Sequence, residues 1–169
     1  MKKIILLSFL VLSFTEISFA QKFAYVDSDY ILNKIPEYKQ AQDKLDRMSA
    51  EWQKEIENKK TEVEEMWKAY QQEQILLSEK MKRQREEAII KKENEAITLQ
   101  HQYFGPEGDL TIKQRELIKP LQDKIYNAVQ QLAKNNKYQI VFDSSSNLIM
   151  LYKNNNLDKS DRVLELMGY

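Results

Sequence analysis

The chain has 169 residues, of which 31% are charged, with 26 basic groups against 26 acidic ones and a single histidine. It contains no cysteine, which excludes disulfides, thiolate metal sites and cysteine nucleophiles. A balanced charge argues against a nucleic-acid binder, and only three glycines and three prolines among many Glu, Lys and Gln residues point to long solvated helix.

The N-terminus reads as a secretory signal peptide. Met1-Lys2-Lys3 is a basic start, Ile4 to Phe14 is an apolar run, and Ser18 and Ala20 place small side chains before a cleavage point at Gln21. The apolar run is about 11 residues, whereas a membrane-spanning helix needs about 20. Residues 1–20 are therefore expected to be removed, leaving an exported chain. Loss of Lys2, Lys3 and Glu16 would leave that mature chain one unit acidic.

Phe23, Tyr25 and Val26 predict a strand that stops at Asp27-Ser28-Asp29. Asp27 or Ser28 can cap the short helix Tyr30 to Ile35, which ends ahead of Pro36. A long helical region runs from residue 37 to about 133. Tyr38, Ala41, Leu45, Met48, Trp52, Ile56, Val63, Met66, Tyr70 and Leu77 recur with a period near 3.5, the pattern of a coiled coil. Lys59 and Glu73 interrupt the seam, and its bulky aromatics suit a loose antiparallel helix pair better than a tight zipper.

The seam loses phase at Gln74 to Glu79, where Ile75, Leu76 and Leu77 are adjacent, so the tip of a helical hairpin is expected there, with Ser78 as a cap. The return leg carries Ala88, Ile89, Ile90, Ala96, Ile97, Leu99, Tyr103 and Phe104. Gly105-Pro106-Glu107-Gly108 must break it, because proline lacks a donor and glycine weakens helix. A hinge at Gly105, Pro106 and Gly108 is the expectation. Helix resumes through Leu110, Ile112, Leu117, Leu121, Ile125, Val129 and Leu132, bent at Pro120 and closed at Asn135-Asn136.

Tyr138 to Asp143 and Leu148 to Tyr152 flank a polar turn and predict a β-hairpin. Asp158-Lys-Ser-Asp161 resembles a capping box ahead of a last helix from Arg162 to Met167, which Gly168 stops. The expected fold class is α+β, mostly α. A long antiparallel helical hairpin, about 60 Å at 1.5 Å per residue, stands on a small β-rich oligomerisation body made of residues 21–36 and 134–169. Three or so strands are too few to be stable alone, so Tyr25, Val26, Ile140, Val141 and Phe142 are assigned to the body core and subunit interface.

No catalytic constellation emerges. His101 lies among polar residues, Glu64-Glu65 and Glu86-Glu87 lie on solvated helix faces, and 105–108 lacks the spacing of a phosphate loop. Asp27, Asp29 and Asp143 read as caps and strand ends rather than metal ligands, so neither metal nor cofactor is expected. What remains is surface. Lys80, Lys82, Arg83, Arg85, Lys91 and Lys92 outweigh Glu86 and Glu87 by four charges, next to Leu76, Leu77 and Met81. Such a mixed basic and apolar arm end suits an acidic client or an anionic membrane surface. Trp52, Trp67 and Tyr70 complete the expected client-contacting set on the arm.

Phe23-Ala-Tyr-Val-Asp27 followed by Ile31-Leu-Asn-Lys-Ile-Pro-Glu-Tyr38, and Leu117-Ile-Lys-Pro120 leading into Tyr138-Gln-Ile-Val-Phe-Asp143-Ser144, resemble the Skp/OmpH family of periplasmic chaperones. The Ile-Pro-Glu-Tyr segment resembles Bacteroidetes-type members. The resemblance covers the whole mature chain. It implies a homotrimer whose joint body carries three helical tentacles around a cavity. It also implies ATP-independent holding of unfolded outer-membrane β-barrel proteins in the periplasm. Two features depart from the family: better-known members are strongly basic whereas this chain is neutral, and the 105–108 break alters the arm. A structural tether of the cell envelope is the rival reading. An enzyme is a more distant one, disfavoured by the residue inventory.

Overall fold

A computed structural model of the chain describes residues 21–145 and 150–169. The expected signal peptide lies outside the described residues. Strand β1 (Phe23–Val26) leads through Asp27 into helix α1 (Ser28–Lys34), whose first turn is capped by the Asp27 carboxylate accepting from the Tyr30 N–H at 2.9 Å. Ile35 is extended, as the residue before proline must be, and Pro36 opens α2 (Pro36–Glu73) at the position where its missing N–H costs nothing. At 38 residues, α2 is continuous over about 57 Å.

Five residues separate α2 from α3 (Glu79–Phe104), and Ser78 caps α3 by accepting from the Met81 N–H. The short break at 105–108 separates α3 from α4 (Asp109–Asn136), which runs uninterrupted across Pro120. Lys137 adopts a left-handed conformation (φ 58°, ψ 36°), and the Tyr138 N–H reaches back to the Ala133 carbonyl at 3.0 Å. This is the helix-ending geometry that glycine usually supplies. It turns the chain into strand β2 (Ile140–Asp143).

β2 lies parallel to β1, in the register Phe23 with Ile140 through Val26 with Asp143. The whole helical excursion is the crossover that a parallel pair requires. On its other side β1 meets a single bridge at Asp158, where the Lys159 N–H donates to the Tyr25 carbonyl at 2.9 Å. A 3-10 turn (Asn155–Leu157) precedes the last helix, α5 (Ser160–Met167), which ends at left-handed Gly168.

These strands correct two expectations. Among the described residues, Tyr138–Asp143 forms no β-hairpin with the end of the Leu148–Tyr152 run. β2 pairs with β1 instead, Met150, Leu151 and Tyr152 lie outside any strand, and Leu148 and Ile149 lie outside the described residues. Leu151 and Tyr152 are almost fully exposed in the single chain. Among the described residues the body is also not β-rich. Its core is helical: Ile31, Leu32 and Ile35 from α1 and its C-cap, Leu121, Ile125, Ala128 and Leu132 from α4, and Val163 and Leu164 from α5, closed by Val26. The two short strands sit against this helical layer. α4 therefore does not stop where the sheet begins, but runs past it, and the reversal at Lys137 makes β2 parallel.

The capping box expected at Asp158–Asp161 also takes another form. Asp158 accepts from both the N–H and the hydroxyl of Ser160, and that hydroxyl oxygen in turn accepts from the Asp27 N–H at 2.9 Å. The start of α5 is thereby tied to the end of β1.

Candidate functional site

Beyond the body, α2 has two successive partners. Near the body, Ala41 and Leu45 of α2 pack on Ile118 of α4. Farther out, Val63 and Tyr70 pack on Ile89 of α3, with Met66, Trp67 and Leu77 around them. Three polar ties mark the alignment of α2 with α3: Tyr103 to Glu55 at 2.8 Å, Lys92 to Glu62 at 2.8 Å, and the Tyr70 hydroxyl donating to Glu86. Low numbers on α2 thus meet high numbers on α3. The Lys92 hydrogen bond holds the Glu62 carboxyl below its usual range, and Glu62 in turn raises the Lys92 ammonium.

The outer end of this helix pair is where large apolar groups meet solvent. Ile75 and Leu76 are 89% and 88% exposed, and Met81 is half exposed. Of the residues expected to contact clients, Leu76 and Met81 therefore stand free, and Lys80 and Arg83 have no ion-pair partner among the described residues. Lys82 pairs with Glu79 at 2.8 Å and Arg85 lies 3.7 Å from Glu73, so the local positive excess is partly neutralised.

Four other members of that set are engaged within the chain. Leu77 is half-buried against the outer cluster, and Tyr70 is buried in it. Trp67 meets Tyr70 edge-on at 5.9 Å. Trp52 stacks face to face on Tyr103, with centroids 4.7 Å apart and planes 9° from parallel, and meets Phe104 edge-on. The sequence reading missed this last contact. Its only advance signal was three aromatics on opposite legs, one of them beside the glycine-proline break.

At the break itself the Gly105 N–H donates to the His101 carbonyl and the Gly108 N–H to the Gly105 carbonyl, both at 2.9 Å. Neither glycine has a left-handed φ; they are needed because the backbone is close. A Cβ on Gly105 would stand 2.4 Å from the His101 oxygen, and one on Gly108 would stand 2.8 Å from three backbone atoms.

In the body, Tyr25 and Val26 are buried and Val141 packs against the core, but Ile140 and Phe142 are 47% and 39% exposed and lie outside this chain's own core. Between β2, α1 and α4 runs a groove of about 410 Å³, lined by Val26, Leu32, Ile125, Val129 and Phe142 among others, with Asp143 also in its wall. Burial pushes the Asp143 carboxyl up. Hydrogen bonds from the Ser28 hydroxyl (2.6 Å) and from the Ser145 N–H and hydroxyl outweigh it, and its pKa lies below the usual carboxylate value. Asp27 caps α1 and Asp29 is exposed. Among the described residues no cluster of three or more His, Asp or Glu could hold a metal ion. His101 is exposed, and no described helix is long and apolar enough to cross a membrane.

Comparison with known proteins places this architecture. The family model described as "Outer membrane protein (OmpH-like)" matches residues 22–167. A protein of Aquifex aeolicus (strain VF5), itself uncharacterised, is 32% identical over 149 residues, covering 88% of this chain and 87% of that one. A crystal structure of a candidate outer membrane chaperone (OmpH-like) from Caulobacter crescentus CB15 superposes with a TM-score of 0.70 over 88% of this chain and 84% of that chain. At 14% identity that likeness speaks for the fold alone.

Proposed function

Since the chain belongs to the OmpH-like outer membrane protein family, we propose that it is an ATP-independent holdase chaperone of the periplasm, reached through cleavage of residues 1–20. Its clients are unfolded outer-membrane β-barrel proteins. Residues 21–36 and 134–169 form a body that assembles as a homotrimer, and residues 37–133 form an antiparallel helical arm. Three arms enclose the cavity that shelters the client.

The observation that carries this reading is the pair Ile75 and Leu76, nearly fully exposed at the far end of a long helix pair. Exposed aliphatic groups on a soluble surface cost solubility unless they meet a partner. A partner met through a few small apolar contacts, without a shaped pocket, suits clients that share hydrophobicity rather than sequence. Lys80 and Arg83 beside them, without an ion-pair partner among the described residues, add attraction for acidic client segments, and weak contact with an anionic membrane surface belongs to the same chemistry. In the body, the exposed side chains of Ile140 and Phe142 on β2 supply the apolar surface that a neighbouring subunit would cover.

The test is suppression of aggregation. The mature protein should keep several unrelated unfolded barrel proteins in solution at near-stoichiometric ratios without nucleotide. Ile75→Ser with Leu76→Ser should weaken this severalfold and leave the thermal midpoint unchanged, because neither side chain is packed. A protein that leaves every barrel to aggregate is a tether of folded envelope components and not a holdase.

A further inference from the structure

We propose that Trp52, Tyr103 and Phe104 form an aromatic latch that holds the base of α3 against α2 beside the Gly105–Gly108 break, and that its release lets that base part from α2 while the outer clamp stays closed. The inference rests on how the two helix pairs are joined. α2 is unbroken from Pro36 to Glu73, but its partner changes from α4 to α3 beside Trp52. The inner pair is clamped by Ala41, Leu45 and Ile118, and the outer pair by Val63, Tyr70 and Ile89.

At the level of the break, the joint is the aromatic cluster. Trp52 stacks on Tyr103, Phe104 stands edge-on to both rings at 6.4 Å, and the Tyr103 hydroxyl donates to Glu55 one turn along α2. On the other side α3 is joined to α4 through residues 105–108, with backbone hydrogen bonds from Gly105 to His101 and from Gly108 to Gly105 and exposed ties from Gln102 to Asp109 (3.2 Å) and from Arg115 to Glu107 (3.6 Å). The base of α3 can therefore part from α2 by turning about residues 105–108, at the loss of one stack, one edge-on ring contact and one hydrogen bond. The Trp52 ring is half-buried, so water or an apolar group can reach it without unfolding of either clamp.

Hydrogen exchange on the full mature protein, without client, tests this, so the outcome does not depend on the chaperone reading. In Trp52→Ala, amides of residues 97–112 should exchange about tenfold faster. Those of 60–70 and of the body helices should keep their wild-type rates. Trp52→Phe, which retains a stacking ring, should restore most of the protection. Unchanged exchange at 97–112 in Trp52→Ala would overturn the latch. So would equal acceleration across the outer clamp and the body, which would make Trp52 an ordinary packing residue.

Discussion

Asp143 closes β2 and gathers donors from Ser28 and Ser145, so its ionised form is worth more in the folded chain than in the unfolded one. A carboxyl whose pKa is depressed on folding contributes stability that is fully present above the unfolded value, about 3.9. That contribution is lost as pH falls through the folded value. Glu37 and Glu62 are shifted in the same direction, the first by a backbone hydrogen bond and by Tyr169, the second by Lys92. Stability should accordingly drop as the solution is acidified below about pH 4. In Asp143→Asn that acid limb should be shallower, and the stability at neutral pH lower. Urea midpoints measured from pH 3 to 6 decide it. Parallel curves for the two proteins would show that Asp143 carries none of the linkage.

Among the elements, the break between α3 and α4 has the most specific sequence requirement. Its glycines stand where any Cβ would meet backbone atoms that cannot move aside, so Gly105→Ala should cost about 1–3 kcal/mol, read as a lower midpoint in thermal unfolding. An unchanged midpoint would mean that the turn relaxes without cost. The break itself was legible in the sequence from Gly105-Pro106, as were the caps at Asp27 and Ser78. The α2 seam was legible too, because Ala41, Leu45, Ile56, Val63 and Tyr70 keep their period where a single face is buried. On α4 the sequence reading named Leu121, Ile125 and Leu132, which are buried, but took Leu117 and Val129 where Ile118 and Ala128 complete the buried stripe. Ala128 contributes little hydrophobicity of its own, so its place on the stripe is hard to see. The strands were harder still. Leu148 to Tyr152 has strand composition, but pairing depends on which edge lies nearest. The passage of α4 beyond the sheet brings β2 alongside β1. The stack of Trp52 on Tyr103 was illegible for a similar reason, since the register between two legs depends on the turn at 74–78 and on the length of the break.

For the molecule as a whole, the described chain has a helical core in its body and two clamps along its arm, with apolar groups left over at both extremities. Ile75 and Leu76 stand at one end, and Ile140 and Phe142 at the other. On the proposed reading the first pair meets clients and the second meets neighbouring subunits, so assembly and capture are separable. Both are read by one experiment: the solution mass of mature protein, residues 21–169, by light scattering, alone and after mixing with an unfolded outer-membrane barrel protein. The account predicts three times the mass of one chain, rising by the mass of a single client in a soluble complex. A smaller assembly whose mass is unmoved by the client would contradict it, and the family's fold would then serve a different task in this chain.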